Sequence, residues 1–348
     1  MTSKKMALAL ALCCAIGAAP LTSAWAQHTI RIGAVRSVAN VNVLTAIEKG
    51  WFKQFGIEVI VEDLNASADA ISLLATNRIQ IVEGGISAGF FNGVARGLPV
   101  VIAADRTSTP LHHKLLVRAD LADTVKSIKD LKGRIVLSNA KASVTTYEVS
   151  RILQSAGLKP DDVELKIVAF PLMGAAFKNK AADAALIIQP FASQVAAENL
   201  GFVLADPDDY VQPRPLTIAG VLVNTEWAKA NPEVAKNFFV AYMRGVRDFC
   251  IAYHDGPNRD ENIDRLVRLG PIKNRVFFEK YPWPGRNLNG AMNVESMMDI
   301  QSFYHSIGVV KTQSPKEKLI DTQYADHANT VLGPLPQVNP QSKKPGCR

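Results

Sequence analysis

Thr29–Val61 reads TIRIGAVRSVANVNVLTAIEKGWFKQFGIEVIV. Its first residues, Thr29–Val35, are β-branched and small with partial alternation, which predicts a strand. Val43, Ile47 and Trp51 then recur at helical spacing and predict a helix over Asn40–Phe55, stopped by Gly56, as glycine often stops helices. Ile57–Val61 predicts a second strand. The alternation continues, with a helix over Ser67–Ala75 that takes Ser67 as its N-cap and a strand over Ile79–Val82. Gly84 and Gly85 then turn into a helix over Ser87–Arg96, and Pro99–Ala104 is a further strand. Strands and helices joined by short links specify a mainly parallel α/β sheet.

Two irregular stretches break this pattern. Asp105–His113 (DRTSTPLHH) is polar and carries Pro110, and Val211–Pro215 (VQPRP) is proline-rich. Between them the alternation starts again. Strands are predicted at Lys114–Arg118, Gly133–Leu137, Val163–Phe170 and Ala184–Ile188, and helices at Ser143–Ala156, Leu172–Lys180 and Phe191–Asn199. After the second break come a strand over Thr217–Val223 and a long helix over Pro232–His254. Shorter helices follow at Ile263–Leu269, Val294–Ile307 and Glu317–Leu332. The simplest geometry is two lobes joined by two crossings. Residues 27–108 with 216–348 build the first lobe and 109–215 the second, and the Pro-, Lys- and Ser-rich tail 333–348 is expected to be disordered.

Residues 1–26 (MTSKKMALALALCCAIGAAPLTSAWA) have the layout of a secretory signal peptide: Lys4 and Lys5, an apolar core, and Ala24-Trp25-Ala26 ahead of a cleavage site before Gln27. The apolar core is shorter than the ~20 residues a spanning helix requires. Cleavage removes Cys13 and Cys14 and leaves Cys250 and Cys347, whose pairing stays open. It also takes Lys4 and Lys5 from a formal charge of +7, leaving +5. The expected location is a periplasm. The remaining basic residues are dispersed apart from Lys343-Lys344, so nucleic acid is not an expected partner.

Several segments together resemble one family. They are Ile30–Val35 (IRIGAV), Ala46–Val59 (AIEKGWFKQFGIEV), Ala68–Gly84 (ADAISLLATNRIQIVEG), Ile128–Val136 (IKDLKGRIV), Leu153–Val163 (LQSAGLKPDDV), Ala182–Phe191 (ADAALIIQPF) and Asn231–Tyr242 (NPEVAKNFFVAY). In this order they resemble the periplasmic solute-binding proteins of the nitrate/sulfonate/taurine and thiamine-pyrimidine type, which serve ABC importers. The resemblance implies a two-lobed Venus-flytrap fold of periplasmic-binding-protein type II with ligand between the lobes. It also implies a cognate permease and ATPase as partners, a monomer, and no cofactor. That family often has a Glu-Pro pair where this chain has Gln189-Pro190, which argues against an amine-bearing ligand. Its usual Asp in a G-x-x-D pattern is Gln80 here, read as structural.

In open α/β sheets ligands bind beyond the carboxyl ends of the strands, where helix N-termini favour anions. This rule nominates Arg36, Ser37 and Asn40 after the first strand. It nominates Ser67, Gly85 and Ser87 in the next loops, with Ser87 the leading candidate. In the second lobe it nominates Ser138, Asn139, Ser143 and Thr145, then Phe170, Met173, Gln189 and Phe191. Arg36 has a fork suited to an anionic head group. Arg106 and Arg214 lie near the crossings, where either could serve the ligand, and hinge ion pairs are the preferred role.

Related folds include desulfinases and a thiamine-pyrimidine synthase, so catalysis has to be weighed. Cys250 lies on the long helix and Cys347 in the tail, both away from the nominated loops. No H-x-x-x-H or C-x-x-C spacing occurs. The expectation is therefore a binding protein, not an enzyme, which delivers a small organic anion of the sulfonate or carboxylate class by lobe closure. Nitrate suits the apolar aromatics of the nominated loops less well. A neutral pyrimidine-like ligand is the alternative, and a desulfinase-like enzyme a more remote one.

Overall fold

The computed structural model describes residues 28–347; segment 1–26, expected to be a signal peptide, lies outside the described residues. Ten strands form two five-stranded sheets. They are β1 (His28–Ala34), β2 (Ile57–Asp63), β3 (Ile81–Gly85), β4 (Val100–Ser108), β5 (Lys114–Arg118), β6 (Ile135–Ser138), β7 (Glu164–Ile167), β8 (Ala184–Ile187), β9 (Gly201–Ala205) and β10 (Thr217–Asn224). The first sheet has the order β2-β1-β3-β10-β4 and the second β7-β6-β8-β5-β9. In each, one strand runs against both neighbours: β10 pairs antiparallel with β3 and β4, and β5 with β8 and β9. These are the strands with which the chain enters each sheet after a crossing. The fold is the two-lobed α/β architecture of periplasmic binding proteins.

Composition explains the layering. β8 (AALI) and β10 (TIAGVLVN) are buried along their whole length, as expected of central strands covered on both faces. The helix Pro232–Tyr253 packs its aromatic face, with Phe238, Phe239, Tyr242 and Phe249 all fully buried, into the core beneath β1, which also takes Phe52 and Trp51. Burial of each such ring contributes roughly 1.5–3 kcal/mol.

Several sequence expectations change. The polar stretch Asp105–Ser108 is not a break: β4 continues through it along β10. These side chains tolerate burial because they satisfy one another. The Ser108 hydroxyl donates to Asp105 at 2.7 Å and lies 2.7 Å from the Thr217 hydroxyl. Gly84 and Gly85 extend β3 and do not turn; a Cβ on Gly84 would stand 2.4 Å from the Ser67 Cβ. Glu317–Leu332 is two helices, Lys316–Leu319 and Gln323–Leu332. β9 and the helices Thr225–Ala230 and Arg275–Lys280 had no clear periodicity and were not anticipated.

The tail, expected to be disordered, is laid against the long helix. The Arg247 guanidinium donates to the carbonyls of Leu332, Gly333 and Pro334 at 2.9–3.2 Å. His254 meets the Ser342 hydroxyl and the Gly346 carbonyl. A disulfide joins Cys250 to Cys347, with Cα atoms 5.1 Å apart. Beside it, Gly346 has φ +86°, and a Cβ there would meet Pro110 Cδ at 2.8 Å, on the first crossing. Gln80 is structural, as read: its carbonyl accepts from the Arg31 N–H and its amide donates to Asn77. Among the described residues no helix is long and apolar enough to cross a membrane.

Candidate functional site

A cleft enclosing about 660 Å³, open solvent at its mouth included, lies between the two sheets. Its wall collects the carboxyl ends of parallel strands: Val35 after β1, Gly84 and Gly85 in β3, Arg106 and Thr107 in β4, Asn139 after β6, and Ile188 and Gln189 after β8. The reversed strands contribute their starts, Ile218 and Ala219 from β10 and His113 just ahead of β5. The topology therefore points these loop ends at one space, as the switch-point rule requires.

Ser37, Ser67, Gly85, Asn139, Ser143, Thr145, Phe170 and Gln189 of the nominated residues stand in this wall. Their hydroxyls are ordered by short local bonds. Thr145 donates to Asn139 at 2.7 Å, Ser143 donates to the Ala140 carbonyl at 2.9 Å, and Ser67 donates to the Gly85 carbonyl at 2.6 Å. The Gln189 side-chain carbonyl accepts from the Ser193 hydroxyl at 2.7 Å.

The other nominations fall outside the cleft. Ser87 is buried as the N-cap of helix Ala88–Ala95, accepting from the Phe90 N–H. Ser138 is buried behind Thr145, and Met173 is lobe-two core. Asn40 is buried beneath the wall, where it donates to Glu83 at 3.0 Å and accepts from the Ser37 N–H at 2.8 Å. Arg36 turns outward to Asp63 at 2.5 Å and to the Leu269 carbonyl at 2.7 Å. Phe191 is 7 % exposed and borders a neighbouring recess.

Arg106 is the main residue that sequence reasoning misplaced. It is 6 % exposed and lines the cleft. It donates to the Ser37 hydroxyl at 3.1 Å and the Val35 carbonyl at 3.4 Å, and its Nε–H has no acceptor. Among the described residues neither Arg106 nor Arg214 forms an ion pair, which corrects the hinge assignment; Arg214 donates to backbone carbonyls of Asp208 and Asp209. Behind Ser37 a relay runs through Asn40 to the buried Glu83, which also accepts from the Tyr242 hydroxyl at 2.6 Å. His113, in the same wall, places Nδ1 3.0 Å from the fully buried Glu148. No signal in the local sequence marks His113, because its partner lies 35 positions away. Among the lining residues there is no Asp or Glu, and the described residues hold no cluster of three metal-ligating side chains.

The two lobes touch across the cleft. The Ala88 N–H donates to the Ala142 carbonyl at 3.1 Å, and Asn139 to the Asn65 carbonyl at 3.4 Å. Arg151 and Tyr147 of helix Val144–Ser155 meet Asp299 of the first lobe at 2.6–2.7 Å. Gly85 faces Val144 so closely that a Cβ there would stand 2.8 Å from Val144 Cγ1. Valine is stiff at χ1 and cannot swing aside cheaply. Gly85→Ala is therefore expected to wedge the lobes apart, weakening ligand binding about tenfold while leaving the unfolding temperature of the empty protein near wild type. Titration calorimetry checks this, and unchanged affinity would contradict it.

Asp105, fully buried beside the cleft arginine, has its carboxyl pushed up to about 6 by desolvation, against hydrogen bonds from the Asn287 N–H and Ser108 and the charge of Arg286. Between roughly pH 4 and 6 the native state thus holds a proton that the unfolded chain releases. Asp105's contribution to stability falls as pH rises through that window, by at most about 3 kcal/mol. His112 works the other way: burial pushes its imidazole down to about 4, so its contribution rises from about pH 4 to 6.5. Asp105→Asn removes only the first slope. Chemical unfolding from pH 4 to 7 should show the variant gaining on wild type as pH rises; a constant difference would exclude the assignment.

The chain belongs to the NMT1/THI5-like family, whose model matches residues 39–253. It is 24% identical over 266 residues to the taurine-binding periplasmic protein of Escherichia coli K12, covering 74% of this chain and 80% of that protein. It is also 24% identical over 250 residues to the riboflavin-binding protein RibY of Chloroflexus aurantiacus, covering 70% and 67%. The solved structure of the alkanesulfonate-binding protein SsuA of Xanthomonas axonopodis pv. citri, bound to MOPS, matches with a TM-score of 0.66 at 17% identity, over 83% of this chain and 95% of that one. That structural likeness carries the fold.

Proposed function

We propose that the protein is the extracytoplasmic solute-binding component of an ABC importer and that it carries a small organic anion without an amine. One observation carries the ligand class: a buried guanidinium, Arg106, stands in a cleft wall that holds no carboxylate. An unpaired buried cation is costly, and a ligand anion offsets that cost on entering. An ammonium group would find no counter-charge in the wall, which separates this cleft from one suited to an aminosulfonate. The remainder of the lining is mostly apolar, with Leu111, Val144, Phe170 and Ile188 among the walls that would take the ligand's body.

In this reading the ligand bridges Arg106 of one lobe and the Asn139–Thr145 hydroxyl cluster of the other. Binding thereby favours the closed arrangement, which the permease reads. The lobes are residues 27–108 with 216–348 and residues 109–215, acting as a monomer in the periplasm after removal of residues 1–26. The family match and the periplasmic relatives support this role. A thermal-shift screen of sulfonates, carboxylates and pyrimidines tests it, since a ligand at 100 times its Kd adds about 2.7 kcal/mol. Stabilisation by anions is the expected result; stabilisation by neutral pyrimidines alone, or turnover of any ligand, would overturn the reading.

A further inference from the structure

A second recess abuts the cleft. It spans about 540 Å³, open solvent included, and is lined by Arg36, Leu64, Asn65, Pro171, Phe191 and Pro271, with Asp63 and Ala169 beside them. Val35 and Phe170 border both spaces. The junction lies next to the anion receptor, because the Arg106 guanidinium donates to the Val35 carbonyl at 3.4 Å. The outer walls come from both lobes: Arg36 follows β1, Asp63 ends β2 and Leu64 and Asn65 follow it, while Ala169–Pro171 and Phe191 open helices of the second lobe. Arg36 and Phe191, both nominated from sequence as ligand residues and both absent from the inner wall, meet here.

We propose that this recess is the outer half of the ligand site and holds a flat, aromatic body extending from the anionic head at Arg106. The proposal rests on the anion reading given above. Its chemistry follows from the walls. Phe170 and Phe191 are 5 % and 7 % exposed and so are held in place by lobe-two core. Pro171, Pro271 and Leu64 add rigid apolar surface, and ring faces against such walls lose little entropy on binding. Arg36 is anchored at Nε by Asp63 and at one terminal nitrogen by the Leu269 carbonyl, and its remaining terminal nitrogen has no hydrogen-bond partner among the described residues. The exposed pair itself contributes about 0–1 kcal/mol, so the recess opens at small cost. Because the walls come from both lobes, an occupant would also hold the lobes closed, coupling ligand length to closure.

The test is a series with one head group and a growing body: methanesulfonate, benzenesulfonate and naphthalene-2-sulfonate, with acetate, benzoate and 2-naphthoate in parallel, each titrated calorimetrically into the mature protein. The expected result is an affinity that rises at least tenfold from the one-carbon to the two-ring probe in one or both series. Equal affinity along every series that binds would overturn the outer site and leave the anion reading standing. Binding by none of the six would overturn both. Phe191→Ala alone risks the lobe-two core, so Asn65→Trp, at an exposed rim position, supplies the second measure. It narrows the recess and is expected to collapse the two-ring to one-carbon affinity ratio towards one. An undiminished ratio would place the body elsewhere.

Discussion

Arg106→Ala is expected to weaken binding of a small organic anion by two orders of magnitude or more. Removing one partner of a desolvated, hydrogen-bonded charge pair typically costs about 2–5 kcal/mol, and nothing else in the cleft wall is a fixed cation. The same change should leave the empty protein as stable as wild type or more so. In the empty state Arg106 is a buried charge whose partners are hydroxyl and carbonyl oxygens, so its removal relieves desolvation. Arg106→Lys keeps the charge but loses the planar fork, and an intermediate affinity is expected. Titration calorimetry with thermal unfolding of the empty protein separates the two effects. Affinity within threefold of wild type for the alanine variant would remove Arg106 from the site.

The largest stability effect is expected from the double variant Cys250→Ala/Cys347→Ala. The disulfide closes a loop with a sequence separation of 97 residues, for which chain entropy alone gives about 4.7 kcal/mol. Measured losses in such cases run about 2–5 kcal/mol, and the unfolding temperature should fall by roughly 5–10 °C. Ligand affinity is expected to fall as well, although neither cysteine lines the cleft. The tail presses Gly346 on Pro110 of the first crossing, and the Cys347 N–H donates to the Arg286 carbonyl at 2.9 Å. Arg286 in turn donates to the carbonyl of Ala39, in the cleft wall, at 2.7 Å. A thermal scan with and without reductant checks the first part. A variant that unfolds at the wild-type temperature would show that the bridge constrains nothing.

The alternation of strands and helices, the two crossings and most of the cleft loops are visible in the sequence because each depends on local periodicity or on loops at strand ends. Arg106 is legible as a charged residue near a crossing, but its place in a strand is not. The eye stops β4 at Ala104, where the apolar run ends, whereas the strand continues because Asp105 and Ser108 find partners more than 100 residues away, Asn287 and Thr217. Arg106, for which a hinge role was preferred over a ligand role, is therefore a strand residue in the cleft wall. Ser87 failed for the opposite reason: its local signal, a serine ahead of a helix, was fully used by the Phe90 N–H. The tail's composition predicted disorder, but composition does not show that Cys347 lies opposite Cys250, nor that His254 and Arg247 wait for its carbonyls.

The position of β10 bears on the order in which the molecule is completed. The second sheet draws all its strands from the unbroken stretch 114–205, whereas the first has β10 between β3 and β4, in the middle and not at an edge. A chain emerging from its N-terminus has β1 to β4 in hand with a gap between β3 and β4, where unpaired backbone would be exposed. The whole second sheet is available before Thr217–Asn224 arrives to fill that gap. The lobe that begins first is thus closed last, and its closing strand directly follows the return crossing. Chaperone dependence of an arrested or truncated chain should concentrate on the N-terminal strands and end once residue 224 is free to pair.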